Sequence, residues 1–205
     1  MPSIDGMETN CEWTTGQQAQ DYGTTLLEDD AVVLRESEPE DFEVLAPWWN
    51  DPRWAVLQQR VIKPRPSQHL ADMFASWCVN RPESGEAGFS IFEKATGSLV
   101  GHVTLYGGTL PHRAADLSIM IGPEYVDKGL GTRAVKLMCG YGFKELGLHR
   151  VALKVAAFNS RAKRAYEKSG FILEGRERGA YFHDGKFHDQ LVYGLLADEY
   201  FSAGA

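Results

Sequence analysis

The sequence predicts an α/β fold in which a mixed β-sheet carries helices on both faces. Two hairpin signals, at residues 95–98 and at Asp184-Gly185, each lie between strand-like runs and predict antiparallel strands. Two helix-patterned stretches, 132–146 and 159–169, each follow a predicted strand and add strand–helix crossovers. Because hairpins and crossovers occur in one chain, the strands of the sheet are expected to run in both directions.

The sequence of the N-terminal part of the chain predicts an arm, one strand and two helices. Residues 1–30 are polar and turn-rich without periodicity, which predicts a flexible N-terminal arm, or one that docks late, before a single domain at 31–205. An apolar run at 32–35 predicts the first strand. Two amphipathic helices follow, and residues 50–52, Asn-Asp-Pro, end the first. Their apolar faces are expected to contain Phe42, Leu45, Ala46 and Trp49, and then Leu70, Phe74, Trp77 and Cys78.

The rest of the chain predicts the larger part of the sheet. In order, the sequence indicates strands at 89–94, 99–106 and 115–121, a helix over 132–146, a strand at 151–155, a helix after Asn159, a strand beginning at 171, and a last strand over 189–196. No internal repeat and no second domain is apparent in this pattern.

Composition limits the class of protein. Hydrophobic residues make up 43% and charged residues 24%, which is typical of a soluble globular protein. The net charge of −7 disfavours nucleic-acid binding. The charge is uneven, because residues 126–190 hold 13 Lys and Arg against 7 Asp and Glu, whereas the remainder holds 8 against 21. A basic segment suits a polyphosphate ligand and an acidic remainder suits a cationic substrate, although chance clustering on solvated surfaces explains the asymmetry equally well.

Cysteine usage and apolar runs indicate the cellular setting. The three cysteines, Cys11, Cys78 and Cys139, are scattered and show neither a disulfide framework nor zinc spacing. No apolar run approaches the roughly 20 residues of a membrane helix, and the first eight residues lack the basic and apolar parts of a secretory signal. We expect a cytoplasmic protein with no membrane partner.

The most informative segment is the glycine loop at residues 126–132, Val-Asp-Lys-Gly-Leu-Gly-Thr. It joins a predicted strand to a predicted helix, so several backbone N–H groups point outward at the positive end of the helix dipole. Such a helix start is a site for phosphate oxygens. The loop lacks the Walker A pattern, and position 134 is alanine where the dinucleotide fingerprint requires its third glycine.

The context of the loop resembles a known family. Residues 116–134, Asp-Leu-Ser-Ile-Met-Ile-Gly-Pro-Glu-Tyr-Val-Asp-Lys-Gly-Leu-Gly-Thr-Arg-Ala, resemble the acyl-CoA-binding motif of the GNAT superfamily of N-acetyltransferases, and residues 159–171 resemble its next motif. Residues 182–189 and 48–52 are similar to segments of two branches, which acetylate ribosomal-protein N-termini and spermidine. The resemblance spans residues 32–197. It departs from the family at Val126, where Gln or Arg is usual.

The resemblance implies a GNAT-like fold and acetyl-CoA as the cosubstrate. The fold has a mixed, mostly antiparallel sheet of six to seven strands that splays after the fourth strand. The loop amides would hold the pyrophosphate, and the strand before the loop would pair with the pantetheine arm. A bulge near residues 120–122 would allow the splay and free an N–H for the oxyanion. The expected cofactor-binding residues are Ile119, Met120, Ile121, Lys128, Gly129, Leu130, Gly131, Thr132, Asn159 and Arg164.

Two residues are candidates for acid–base catalysis. Tyr166 matches the position of the tyrosine that protonates the leaving thiolate in the family, although packing on the apolar helix face explains it too. Asp116 matches a position where the resembling branches often carry Glu, and it is the candidate general base. A solvated carboxylate at a strand start is the alternative interpretation.

The acceptor site is less defined by the sequence. Core packing explains most of the tryptophans in the N-terminal helices, Trp48, Trp49, Trp54 and Trp77, but one or two of them could form an aromatic wall or a cation–π contact for the substrate amine, and Trp49 is the candidate. The resemblance implies that Asp189 lines the acceptor pocket. The pairs His183-Asp184 and His188-Asp189 have metal-ligand chemistry, but the hairpin turn explains the first pair, and no metal is expected.

The sequence therefore predicts an N-acetyltransferase that transfers acetyl from acetyl-CoA to a primary amine in a ternary complex. The acceptor is either a small cationic amine, such as a polyamine or an aminoglycoside, or a protein N-terminus. A CoA-binding regulatory module without turnover is the alternative. The last strand allows a homodimer, by analogy with similar folds.

Overall fold

The computed structural model describes residues 13–109 and 111–203. In these ranges the helices are α1 (Gly16–Leu27), α2 (Pro39–Asn50), α3 (Pro52–Gln58), α4 (Ser67–Trp77), α5 (Leu130–Lys144), α6 (Ser160–Lys168) and α7 (Ala197–Ser202). The strands are β1 (Val32–Arg35), β2 (Ala87–Glu93), β3 (Ser98–Thr109), β4 (Ala114–Ile121), β5 (Arg150–Ala156), β6 (Ile172–His183) and β7 (Lys186–Leu196). A short 3₁₀ turn, Pro123–Tyr125, leads from β4 into the glycine loop.

The described strands form one seven-stranded sheet in the order β1-β2-β3-β4-β5-β7-β6. Its β4–β5 pair is parallel and its other pairs are antiparallel. The parallel pair is the one connected through α5, as a strand–helix–strand crossover requires. The predicted mixed, mostly antiparallel sheet of the GNAT type is confirmed.

Each face of the sheet has its own core. On one face, α5 packs on the central strands and contributes Ala134, Val135 and Met138, all 1% exposed or less. On the other face, α2 and α4 bury Leu45 and Phe74 against the sheet. Strand β4 serves both cores because its side chains alternate, with Leu117 in the first and Met120 in the second. Helices therefore cover both faces, as predicted.

Strands β4 and β5 separate inside the sheet. Their parallel ladder covers only residues 114–116 of β4 and 150–152 of β5. Beyond Asp116, the edge of β4 that faces β5 has no strand partner. The splay after the fourth strand is thus confirmed, but the expected bulge near residues 120–122 is wrong. The register between β3 and β4 is regular up to Ile121 and shifts only at Tyr106/Thr109. The gap opens because β5 diverges from β4, and no extra residue in β4 is needed.

The N-terminal segment corrects one prediction. Within residues 1–30, α1 occupies Gly16–Leu27, where the sequence pattern indicates no helix, and its contacts agree with the alternative of an arm that docks; residues 1–12 lie outside the described residues. The helix begins with a capping box between Thr15 and Gln18. It contacts α5 and β1. Most residues of α1 are polar or glycine and none is buried, so no continuous apolar stripe marks this helix in the sequence.

Candidate active site

The glycine loop starts α5 in the way that anion-binding loops do. Gly129 is the N-cap residue, with a left-handed φ of 81° that favours glycine. No side chain caps this helix, and the first bond within the helix runs from the Arg133 N–H to the Gly129 carbonyl at 3.2 Å. The N–H groups at the start of α5 before Arg133 therefore have no acceptor within the helix. They are free to bind an anion at the positive end of the helix dipole.

The residues that carry these N–H groups line a cavity of about 290 Å³, which we call the loop cavity. It lies between the loop, β4 and α6, and residues 129–132 form part of its wall. Ile119 and Ile121 supply its apolar side. A Cβ at Gly131 would lie 3.2 Å from Cγ1 of Ile121, so glycine allows the backbone to approach the strand closely. The cavity therefore combines backbone donors with an apolar strand edge.

Three cations also line the loop cavity: Arg161, Arg164 and Lys168 on α6. Among the described residues none of them forms an ion pair, although the Arg161 guanidinium lies 5.2 Å from the centre of the Trp54 ring. Arg133 has a different role. It pairs with Asp29, at 2.8 Å, and with Asp30, and so connects α5 to the segment before β1. The phosphate-sized cavity is thus positive on its α6 side.

Asn159 fixes the start of α6 beside this cavity. Its side chain accepts a hydrogen bond from the Ala162 N–H at 3.1 Å, which confirms the predicted helix cap. Its Nδ2 donates to the Leu57 carbonyl at 3.4 Å, and this bond links α6 to the end of α3. At the other end of α6, the Ser169 hydroxyl lies 3.4 Å from the Thr132 carbonyl of α5.

Tyr166 lies on the wall that the loop cavity shares with a second cavity. The second cavity, of about 350 Å³, opens along the gap between β4 and β5, and we call it the sheet cavity. Both cavities are lined by Leu57, Gln58, Ile119, Asn159 and Tyr166. Among the described residues the Tyr166 hydroxyl has no hydrogen-bond partner. Burial raises the pKa of this phenol to about 12, and nearby Arg161 opposes the rise, so Tyr166 is protonated at neutral pH.

Asp116 lines the sheet cavity at the point where β4 and β5 part. It has no ion pair or hydrogen bond with another described side chain. Tyr106 of β3 is its register partner across the β3–β4 pair and lines the same cavity. Burial raises the pKa of Tyr106, and the Asp116 carboxylate raises it further. The structure thus brings the two predicted catalytic residues, Asp116 and Tyr166, to one cavity.

The end of α3 closes the sheet cavity on a third side. The Tyr181 hydroxyl of β6 donates to the Gln59 carbonyl at 2.6 Å, which fixes this segment against the sheet. Gln58 precedes it and lines both cavities. Its Oε1 atom is buried and has no hydrogen-bond partner among the described residues. An acceptor atom in this position suits a ligand that brings an N–H group.

Four of the predicted site residues line neither cavity. Met120 is buried under α2 and α4, and the Lys128 ammonium lies 5.1 Å from the centre of the Tyr125 ring. Trp49 packs edge-on against Phe74 and Trp77 in the core between α2 and α4. Asp189 accepts hydrogen bonds at 3.0 Å from Arg176 and from the Gly179 N–H. Their side chains are occupied by contacts within the protein.

The sequence analysis missed much of the sheet cavity. The missed residues are Gln58, Arg60, Tyr106, Ser118, Lys154, Tyr181 and Gln190. A signal existed for Tyr106, because the register of the β3–β4 hairpin places it beside Asp116. For Arg60, which follows α3, and for Gln190, on β7, no local pattern marks a site. They meet in the cavity only through the fold.

The described residues give little support for metal-dependent catalysis or for catalysis by a cysteine thiolate. Within residues 13–109 and 111–203, no group of three or more His, Cys, Asp or Glu side chains comes together in a way that could hold a metal ion. Burial raises the pKa of the Cys139 thiol well above its ordinary value, which disfavours a nucleophilic thiolate. Cys78 lies 3.1 Å from Nε2 of His102, but burial raises the pKa of this thiol and lowers that of His102 to about 3. Both groups are therefore neutral and structural.

In the described part of the chain, every helix is too short or too polar to cross a membrane.

Comparison with known proteins identifies relatives of the sequence. The putative ribosomal N-acetyltransferase YdaF of Bacillus subtilis is 35% identical over 104 residues, which cover 51% of this chain and 57% of that protein. Spermidine N(1)-acetyltransferase of Escherichia coli strain K12 is 36% identical over 104 residues, which cover 51% and 56%. The chain thus spans little more than half the length of these curated relatives.

Solved structures share the fold over nearly their whole length. The crystal structure of spermidine N-acetyltransferase from Vibrio cholerae in complex with CoA and spermine has a TM-score of 0.75 at 25% identity. The match covers 84% of this chain and 99% of that one. A dodecameric structure of the same enzyme has a TM-score of 0.71, also at 25% identity, and covers 86% and 100%. The family model for the acetyltransferase (GNAT) domain matches residues 31–172. The chain therefore belongs to the GNAT family of acetyltransferases.

Proposed function

We propose that this protein is an N-acetyltransferase that moves an acetyl group from acetyl-CoA to a primary amine by direct transfer in a ternary complex. The observation that carries the proposal is the position of Tyr166 between two cavities. One cavity has the donors that a diphosphate needs, and the other has the carboxylate that an attacking amine needs. Family membership and the names of the relatives agree with this chemistry.

The loop cavity suits coenzyme A. The N–H groups of residues 129–132 bind the diphosphate, and Arg161, Arg164 and Lys168 supply positive charge from α6. The Lys128 N–H belongs to the same loop, whereas its side chain turns to Tyr125. Val126, where the family usually has a polar residue, does not weaken this grip, because backbone groups provide most of it.

The free edge of β4 suits the pantetheine arm. Residues 117–121 lie beyond the β4–β5 ladder, so their backbone can pair with an amide-bearing chain as with an added strand. The side chains of Ile119 and Ile121 face this chain from the cavity wall. Met120 contributes its backbone only, because its side chain lies in the opposite core. Gln58 and Asn159 offer polar contacts from the facing side.

Tyr166 and Asp116 divide the proton transfers. Acetyl-CoA supplies the acetyl group as an activated thioester. Asp116, directly or through water, accepts the proton that the amine loses as its nitrogen forms the new bond to the acetyl carbon. Tyr166 donates a hydrogen bond, and then its proton, toward the departing sulfur as the carbon–sulfur bond breaks. Proton return from solvent then restores the phenol, whose raised pKa keeps it protonated.

The direct test is a thiol-release assay. Purified protein with acetyl-CoA is offered polyamines, aminoglycosides, amino acids and N-terminal peptides, and the released CoA thiol is measured. The proposal predicts amine-dependent release together with an acetylated product identified by mass spectrometry. Binding of CoA with no amine-dependent release across this panel would contradict it and would favour a regulatory CoA-binding module.

A further inference from the structure

The sheet cavity has the wrong charge for a polyamine. Of the residues that line it, Asp116 is the single carboxylate, whereas Arg60 and Lys154 are cations. A polyamine carries two or more ammonium groups, and each one beyond the reacting amine needs a negative partner. The described part of the wall offers no second carboxylate for this purpose.

Several acidic residues of the N-terminal part form ion pairs away from the cavity. The sequence asymmetry suggested that an acidic remainder suits a cationic substrate, but the described ion pairs show these carboxylates engaged away from the cavity. Glu28 pairs with Lys94 at 3.0 Å, and Asp29 pairs with Arg133 at 2.8 Å. Asp51 pairs with Arg53 at 2.6 Å. Among the described ion pairs, the pair that includes a residue of the cavity wall is Lys154 with Glu177, so that carboxylate faces a cation that is already present.

Arg60 is the cation that remains available in this cavity. Lys154 is paired with Glu177 at 2.7 Å, so its charge is largely balanced. Arg60 forms no ion pair with a described residue, and its Nη2 has a single side-chain contact there, with Oε1 of Gln190 at 3.5 Å. A guanidinium presents several fixed donors, and one distant amide oxygen leaves most of them unused.

The fold holds Arg60 at this place. The preceding residue, Gln59, is 6% exposed, and its carbonyl accepts the 2.6 Å bond from Tyr181. The Gln59 side-chain amide donates to the Trp49 carbonyl of α2. The charge of Arg60 also acts on the cavity wall, because burial raises the pKa of Tyr181 while Arg60 opposes that rise. Arg60 is thus an exposed cation at the cavity wall, and its backbone follows the anchored Gln59.

We infer that the acceptor is an amine that also carries a carboxylate, and that Arg60 binds this carboxylate while Asp116 faces the amine. This inference rests on the proposed N-acetyltransferase function and names its substrate class. A planar guanidinium and a carboxylate form paired hydrogen bonds, which orient the substrate as well as bind it. Free amino acids and peptides with an acidic residue beside the N-terminus share this chemistry.

The test uses pairs of substrates that differ only in charge. Wild-type protein and Arg60→Gln are assayed with amino acids and their carboxamides, and with dipeptide amides whose second residue is Glu or Gln. Wild type should prefer the carboxylate member by about tenfold or more in kcat/KM, mainly through KM. Arg60→Gln should lose this preference, because the acid and the amide of each pair should then have similar kcat/KM values. The pair with the larger preference identifies the source of the carboxylate.

A control variant at Arg53 and a charge-reversal variant at Arg60 complete the design. Arg53→Gln removes an exposed arginine of α3 that lines neither cavity, and it should keep the wild-type preference. Arg60→Glu should disfavour the carboxylate member and improve turnover of spermidine.

Affinities of the same pairs for the CoA-loaded protein, measured by calorimetry, give a readout that needs no turnover. Equal affinities for acid and amide, or efficient use of spermidine by wild type with no effect of Arg60→Gln, would overturn the inference and leave the acetyltransferase proposal intact. Tighter binding of the acid without turnover would support the inference and contradict the acetyltransferase proposal.

Discussion

The loop cavity and the sheet cavity share Tyr166, yet they are built in different ways. The loop cavity rests on the backbone of one continuous segment, residues 126–132, with cations from the next helix. The sheet cavity is built from side chains on β3, β4, β5, β6, β7 and the end of α3. A site built from backbone groups tolerates substitutions of the side chains around it. A site built from side chains binds different ligands when those side chains are substituted. We therefore expect the proposed cofactor site to tolerate side-chain substitutions better than the proposed acceptor site.

The largest effect is expected from filling the loop cavity. Gly131→Glu places a carboxylate among the N–H groups meant for a diphosphate, and its Cβ would press on Ile121. CoA affinity should fall by more than about 100-fold, measured by calorimetry.

Gly23→Glu is the matched control, because it adds the same charge to an exposed position on α1 with open space around it. It should bind CoA as wild type does. Undiminished affinity in Gly131→Glu, with a normal circular dichroism spectrum, would contradict the placement of the diphosphate.

The next largest effect is expected for Tyr166, the residue between the two cavities. Tyr166→Phe keeps the ring that packs against Phe171 and Tyr193 and removes a hydroxyl that has no partner among the described residues. We expect kcat to fall about 100-fold with CoA affinity unchanged. Tyr193→Phe, which removes a bond of 3.0 Å to Glu167, should leave kcat near wild type. An unchanged kcat in Tyr166→Phe would remove the phenol from the mechanism.

The raised pKa of Tyr166 also predicts how kcat depends on pH in alkaline solution. An acid must be protonated to act, so its contribution is lost as pH rises through its pKa, which is about 12 here. The kcat of wild type should therefore not decline between about pH 8 and pH 10, where an ordinary phenol begins to ionise. A decline in this window that Tyr166→Phe abolishes would contradict the strong burial of the phenol.

A smaller effect is expected on the acceptor side. Asp116→Asn keeps the size of the side chain and removes its basicity, so kcat/KM should fall about tenfold and the acidic limb of the pH–rate profile should flatten. Asp72→Asn changes a carboxylate of α4 that contacts only Gln68 among the described residues and should have no effect. A profile unaltered by Asp116→Asn would assign the proton to water or to another group.

The smallest effect on CoA binding is expected for one of two arginines near the loop. Arg164→Gln removes one cation from the loop cavity and should weaken CoA binding about threefold at low salt, and less as salt increases. Arg133→Gln removes a cation that is paired with Asp29 and Asp30 instead, so CoA affinity should be unchanged. Equal effects of the two substitutions would show that general charge, and not the cavity, governs binding.

The same contrast explains what the sequence could predict. The glycine loop, the Asn159 cap and the hairpin at Asp184-Gly185 depend on neighbours in sequence, and each is found where local patterns indicate it. Tyr166 and Asp116 were placed by family resemblance, and the fold brings both to the sheet cavity.

The remaining features depend on distant parts of the chain. Trp49 is a candidate for a substrate wall from the sequence, but α2 packs on α4 and places this side chain in the core between them. Arg60 follows a short helix in a polar stretch and becomes a cavity residue only because Tyr181, on β6, anchors its neighbour. The gap between β4 and β5 is likewise set by where the β5 register diverges, which no local pattern encodes.

A crystal structure of the protein with CoA tests the central claim most directly. The account predicts diphosphate oxygens within hydrogen-bond distance of the N–H groups of residues 129–132, with the sulfur beside the Tyr166 hydroxyl. A diphosphate bound at any other surface, or a sulfur that points away from Tyr166, would contradict it.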